Sequence, residues 1–256
     1  MTTSTMMSAK EIDNWLKWLI YSSVPLVRLK SRAELPIGIA SACLLNFGGR
    51  RFIVTAAHAV PLNSCDWHID LGPDEKGRRE TFHLGPFLYA KDFHRSSGEI
   101  RDVDVCCSEI PKSVNPVFQR VTPQGALSGR IQRAIFDLTT TSDQAELWPY
   151  AFSGAVFPEV HGTDIFVTSQ INYPGLTLRE RTGRELVFAL PVPHPGHDSF
   201  KGCSGAPIVD RHRKIIGIVS RGCIETNSIH GIPIACVQYL LDFIVSEFPN
   251  PATDRQ

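Results

Sequence analysis

The chain has 256 residues of which 43% are apolar, enough to bury the core of one large domain or two small ones, and this excludes the disordered and fibrous classes. Its 26 basic and 26 acidic residues cancel, so no long-range field draws it to nucleic acid or to an anionic membrane surface. The amino terminus lacks the basic, apolar and small-residue succession of a secretory signal, and no apolar run reaches membrane-spanning length; a cytoplasmic protein without a membrane span is expected.

Ser8 and Glu11 stand at capping-box spacing, and Ile12, Trp15, Leu16, Leu19 and Ile20 follow at helical spacing, which predicts an amphipathic helix over 9–21. Its apolar face can dock on its own domain, bind a regulatory partner or touch a membrane; the weakly charged polar face around Glu11 and Asp13 favours docking. After Pro25 the pattern changes to short β-rich runs: 26–29, 37–47, 51–55, 67–71, 81–89 and 103–110, with Gly48-Gly49 a hairpin turn between the second and third. Residues 111–129 are rich in Pro, Gln and Ser and poor in periodic apolar pattern, which suits a linker. Strand-like runs return at 131–138, 150–157, 165–171, 176–179, 185–190, 206–209 and 214–220. Val237, Leu240, Leu241, Ile244 and Phe248 then recur at helical spacing up to Pro249. Many short strands with little helix between them indicate an all-β antiparallel sandwich or barrel. The expected divisions are a helical extension (1–24), a first β unit (25–110), a linker (111–129), a second β unit (130–234) and a closing helix with tail (235–256).

Seven cysteines, at 43, 65, 106, 107, 203, 223 and 236, lack the paired short spacings of a zinc site or a secreted disulfide framework, so reduced thiols are expected. Arg179, Arg181 and Arg184 alternate with Glu180 and Glu185 around Thr182-Gly183, which reads as a solvated hairpin and not as a nucleic-acid patch. His194 and His197 are the only close histidine pair and have no metal-site motif beside them; neither metal nor other cofactor is expected.

Two segments carry chemistry. Thr55-Ala56-Ala57-His58 and Gly202-Cys203-Ser204-Gly205-Ala206-Pro207 each lie at the edge of an apolar strand-like run. A serine hydroxyl needs a base to take its proton, and the base needs a third group to hold its tautomer. Glycines at 202 and 205 permit positive φ and close backbone approach, so consecutive N–H groups can point at one developing oxyanion. An α/β-hydrolase elbow requires glycine at 206, where this chain has alanine, and a helix after the serine, where it has a strand pattern. A cysteine nucleophile would stand at 204, so Cys203 is one place too early.

Thr55-Ala56-Ala57-His58, Asp104-Val105-Cys106-Cys107, Gly202-Cys203-Ser204-Gly205-Ala206-Pro207 and Gly217-Ile218-Val219-Ser220-Arg221-Gly222 occur in this order. Together they resemble the chymotrypsin/trypsin-like serine peptidases over about residues 25–248. The resemblance implies a chymotrypsin-like double barrel and an intracellular, bacterial-type member lacking the secreted enzymes' disulfides. It implies a serine endopeptidase acting on protein or peptide substrates. Ser204 becomes the nucleophile, His58 the general base and Asp104 its orienting acid; Gly202 and Ser204 supply the oxyanion-hole N–H groups. Asp102 shares the strand period of Asp104 and stays open as the acid. Ser220 is expected to support the aspartate, Gly222 to wall the substrate cleft, and Asp198 to read a basic side chain, unless it is simply a loop residue of Pro195-Gly196-His197.

Three departures bear on the mechanism. Cys203 stands where zymogen-activated members have an aspartate, which removes that switch. Cys43 has Ala59 at its partner position, so the bridge beside the histidine cannot form. Arg221 replaces an aromatic cleft residue. The reading from another class is a catalytically silent fold of this type used as a binding or regulatory module.

Overall fold

The computed structural model describes residues 7–30, 36–62, 66–74, 79–94, 98–119, 129–138, 149–161 and 165–248. The first half contains α1 (Ala9–Leu19), β1 (Val24–Arg28), β2 (Gly38–Phe47), β3 (Arg50–Thr55), β4 (Trp67–Pro73), β5 (Arg79–His83), β6 (Leu88–His94) and β7 (Glu99–Ile110). Three short strands follow: β8 (Val117–Phe118), β9 (Ile131–Gln132) and β10 (Ile135–Asp137). The second half contains β11 (Tyr150–His161), β12 (Ile165–Arg181), β13 (Leu186–Ala189), α2 (His197–Phe200), β14 (Pro207–Val209), β15 (Ile215–Cys223), β16 (Ser228–Pro233) and α3 (Ile234–Glu247).

The first half is a sheet in the order β5-β4-β1-β2-β3-β7-β6, with β10 lying parallel along β2. The second half closes into a barrel, β11-β12-β13-β16-β15-β14. The chain is therefore mostly β, two packed β units with a helix at each end, as the strand spacing predicts. Among the described residues no helix is long and apolar enough to cross a membrane.

Local chemistry explains several boundaries. Gly48 and Gly49 both have positive φ (55° and 75°), the backbone that a two-residue hairpin turn between β2 and β3 demands. The runs read separately at 165–171 and 176–179 form one strand, β12, because Gly175 (φ 79°) is accommodated as a bulge between the pairs Tyr150–Leu176 and Ala151–Pro174. The run read as continuous over 81–89 is instead broken between β5 and β6. Of the stretch read as a linker, 120–128 lies outside the described residues, as does Cys65; Val117–Phe118 pairs with Ile131–Gln132.

Three apolar clusters hold this architecture. One fills the first sheet around Leu26, Leu44, Ile53 and Trp67, and another fills the closed barrel around Phe152, Leu176, Leu186 and Phe188. The third joins the halves: Phe52 and Val105 of the first sheet meet Val209 and Ile218 of the barrel, with Trp15 and Leu19 of α1 and Leu240 and Leu241 of α3. Each large side chain so buried contributes about 1.5–3 kcal/mol. The expected capping box is present, with Ser8 N–H donating to Glu11 Oε2 (2.7 Å) and Glu11 N–H to Ser8 Oγ (3.3 Å). The apolar face of α1 docks on the fold: Trp15 Nε1–H donates to the Asp210 carbonyl at 3.0 Å, and Trp18 stands edge-on to Phe136. Arg50 donates to the Ile244 and Phe248 carbonyls and so satisfies the carboxyl end of α3.

Candidate active site

His58 sits where β3 ends. The buried strand Phe52–Thr55 gives way at Ala56 to a single 3-10 turn, Ala57–Ala59, which lifts His58 out of the sheet edge while its neighbours stay packed. Asp104 lies on β7, which pairs with β3 through Thr55–Cys106 and Val54–Cys107. That pairing brings the two side chains together. The Asp104 carboxylate accepts from the His58 backbone N–H at 2.9 Å and lies 2.8–2.9 Å from His58 Nδ1.

Ser220 Oγ–H donates to Asp104 Oδ2 at 2.5 Å. Burial raises the pKa of Asp104, but hydrogen bonds from the His58 ring, from Ser220 and from the His58 N–H outweigh it and hold the carboxyl below its ordinary value. An ionised carboxylate only accepts, so Nδ1 donates to Asp104, and in that tautomer of the imidazole Nε2 is the acceptor. Nε2 lies 3.0 Å from Ser204 Oγ. The Ser204 hydroxyl also lies 2.9 Å from the Ser220 carbonyl, so its one proton chooses between imidazole and carbonyl. Asp102, the other carboxylate of the same period, is 82% exposed on its side chain and pairs with Lys91 at 2.6 Å. A shift in the β6–β7 register separates the two aspartates.

The loop before β14 is fixed by sterics. Gly205 has φ 89°, and a Cβ there would lie 2.0 Å from the Ser41 carbonyl oxygen and 2.1 Å from Thr55 Oγ1. Gly202 has φ 104°, and its Cβ would lie 2.6 Å from the Ala155 carbonyl oxygen. Only glycine fits either place. Carbonyl groups of the loop are tied down: Ser41 Oγ–H donates to Gly202 O (2.7 Å), Ser41 N–H to Ser204 O (3.0 Å), and Ala206 N–H to Cys203 O (3.0 Å). In a trans peptide the N–H opposes the C=O, so anchoring Cys203 O turns the Ser204 N–H the other way. Among the described residues the N–H groups of Gly202 and Ser204 donate to no protein acceptor.

Cys203 points into the barrel core. It is fully buried, and a Cβ on Gly154 would lie 2.7 Å from its sulfur. Burial pushes its thiol up to about 12, so it is neither ionised nor accessible. Cys43 is likewise a buried free thiol, against Val54 O.

A cleft of about 510 Å³ opens beside His58 and Asp104, lined also by Ser220 and Arg221 and bridged by an ion pair between Arg184 of the β12–β13 turn and Asp92 of β6. Arg221 pairs with Glu185 at 3.1 Å. Neither Gly222, which follows on β15, nor Asp198, which is exposed on α2, lines this cleft. Among the described residues no group of three or more His, Cys, Asp or Glu side chains is placed to hold a metal ion.

Sequence reading missed Ser41. It is fully buried, accepts from Ala155 N–H at 2.8 Å, and links the first sheet to both ends of the Gly202–Ser204 segment. In the apolar run 37–47 it reads only as a small strand residue; its meaning comes from a partner loop far along the chain.

No protein-family model matches the sequence, and no curated protein matches it. Solved structures are similar to it. Human heparin binding protein superposes with a TM-score of 0.56 at 12% identity, covering 91% of this chain and 95% of that one. The serine endoprotease of Yersinia pestis gives 0.50 at 13% identity, covering 94% of this chain and 68% of that one. The VesB protease of Vibrio cholerae gives 0.50 at 16% identity, covering 90% and 64% respectively. These neighbours share the trypsin-like double-β fold; two are named as proteases and one for heparin binding.

Proposed function

We propose that the protein is a serine endopeptidase that hydrolyses peptide bonds through an acyl-enzyme on Ser204. The observation that carries the reading is the unbroken hydrogen-bonded chain from Asp104 through His58 to Ser204, with links of 2.8 and 3.0 Å. In this mechanism Ser204 Oγ attacks the scissile carbonyl carbon as its proton passes to His58 Nε2. Asp104 stabilises the imidazolium and fixes its orientation, and Ser220 keeps Asp104 in place. The carbonyl oxygen becomes an oxyanion held by the N–H groups of Gly202 and Ser204, each worth about 3–4 kcal/mol in the transition state. Collapse of the tetrahedral intermediate breaks the C–N bond, and the departing amine takes the proton from His58. Water then repeats the sequence on the ester, with His58 again as base, and releases Ser204.

The alternative is a catalytically silent fold of the same type acting as a binding or regulatory module. Labelling with a fluorophosphonate, whose phosphorus an activated serine oxygen attacks with loss of fluoride, separates the two readings. The folded wild-type chain is expected to label and Ser204→Ala to lose all labelling. A folded wild-type chain that does not label would sink the endopeptidase reading.

A further inference from the structure

His194 takes no part in the chain of hydrogen bonds at Ser204, yet it has contacts of its own. Its backbone N–H donates to Asn227 Oδ1 at 2.7 Å, its ring packs on Phe200 with centroids 5.1 Å apart, and its Nδ1 accepts from Gly196 N–H at 3.1 Å. A ring nitrogen that accepts leaves the proton on the other, so neutral His194 is an Nε2–H donor. Burial and then His197 hold its pKa below the ordinary value against the opposing pull of Glu225, which keeps the ring neutral at pH 7. Nε2 is buried and has no acceptor among the described residues.

The ring covers Gly222. A Cβ at that position would lie 2.2 Å from Nε2, so glycine is what allows the imidazole to rest there. Gly222 is two residues along β15 from Ser220, whose carbonyl lies 2.9 Å from Ser204 Oγ. At about 3.4 Å per strand residue, Gly222 lies about 7 Å further along the strand, a distance that a side chain can span from a peptide carbonyl held at Ser204. Asp198, to which the resemblance to trypsin-like peptidases would give that role, is exposed on α2.

We infer that His194 is the residue that selects the substrate side chain before the scissile bond, and that it selects glutamate or glutamine. This rests on the endopeptidase reading. The entering side chain moves the ring off Gly222 and gives Nε2–H the oxygen acceptor that it lacks in the free protein. Leucine and lysine side chains offer no acceptor, and leave the donor unsatisfied.

The test is equilibrium binding, so that it does not depend on turnover. Acetyl-Ala-Ala-X acids with X as Glu, Gln, Leu or Lys are titrated into the full chain and followed by NMR, with fluorophosphonate labelling measured in parallel. Glu and Gln peptides are expected to bind about tenfold more tightly than Leu and Lys peptides, the factor that one satisfied buried donor supplies. His194→Phe, which keeps a ring on Phe200 but has no donor, should abolish the difference, and His194→Gln, which restores an N–H, should recover part of it. Tightest binding of the Lys peptide, an unchanged preference in His194→Phe, or no binding to the folded chain would each overturn the inference. Selective binding without labelling would instead sustain His194 as the reader and remove the endopeptidase reading.

Discussion

His58 and Asp104 come from the first sheet with side chains 51% and 30% exposed, whereas Ser204 comes from a loop of the closed barrel whose neighbours Cys203 and Gly205 are buried. The acid and base are joined by three hydrogen bonds to a carboxylate that would survive small movements. The serine loop has no such latitude, because at Gly205 even one added carbon would overlap the Ser41 carbonyl and Thr55. One side of the site is thus held by charge and the other by shape. Each can be broken by its own means.

The largest effect expected is on the charged side. Asp104→Asn keeps the size but takes away the acceptor that sets the His58 tautomer, and kcat/KM for a peptide substrate should fall by about 10⁴ with the fold intact. The same variant has a pH signature. Because the Asp104 pKa is lowered on folding, its ionised form stabilises the native state above the ordinary carboxyl value of 3.8, and that contribution is lost as pH falls through the lower folded value. Urea midpoints of wild type and Asp104→Asn should therefore lie furthest apart near neutral pH and converge in acid. A gap that widened in acid would contradict the assignment of charge to Asp104.

On the shaped side, Gly205→Ala combines backbone strain at positive φ with overlap of fixed atoms, and should cost about 4 kcal/mol in urea unfolding. A loss below about 1 kcal/mol would mean that the loop yields more easily than its contacts suggest. The smallest effect belongs to Cys203→Ala. It empties a little space beside Gly154, about 1–2 kcal/mol of stability, and should leave fluorophosphonate labelling at the wild-type level. Loss of labelling there would make the sulfur part of the chemistry and undo the separation between the buried residue and its half-buried neighbour Ser204.

Much of this was legible in the chain because it depends on local rules. The Ser8–Glu11 capping box, the Gly48-Gly49 turn and the buried face of α3 follow from near-neighbour spacing. His58 and Ser204 were legible as polar residues at the edges of apolar runs. Asp104 and Asp102 were not separable by period alone, since two residues apart on a strand means the same face; the register of β7 on β3 and β6 brings only Asp104 under the imidazole. Asp198 fitted a motif by its offset from Ser204, but the short helix α2 leaves it exposed. The 131–138 run read as one strand of the second unit, whereas Ile135–Asp137 runs parallel along β2 of the first sheet, an association that short sequences cannot specify.

By itself, then, the sequence determined what obeys local sterics and periodicity: a mostly β chain, its terminal helices, its tight turns and the residue types able to do serine chemistry. The tertiary structure alone decided which carboxylate faces His58, that Ser41 ties the serine loop to the first sheet, and that His194 lies over Gly222. Those contacts include one between residues 161 positions apart and depend on how two β units pack, a relation that no local pattern in the chain encodes.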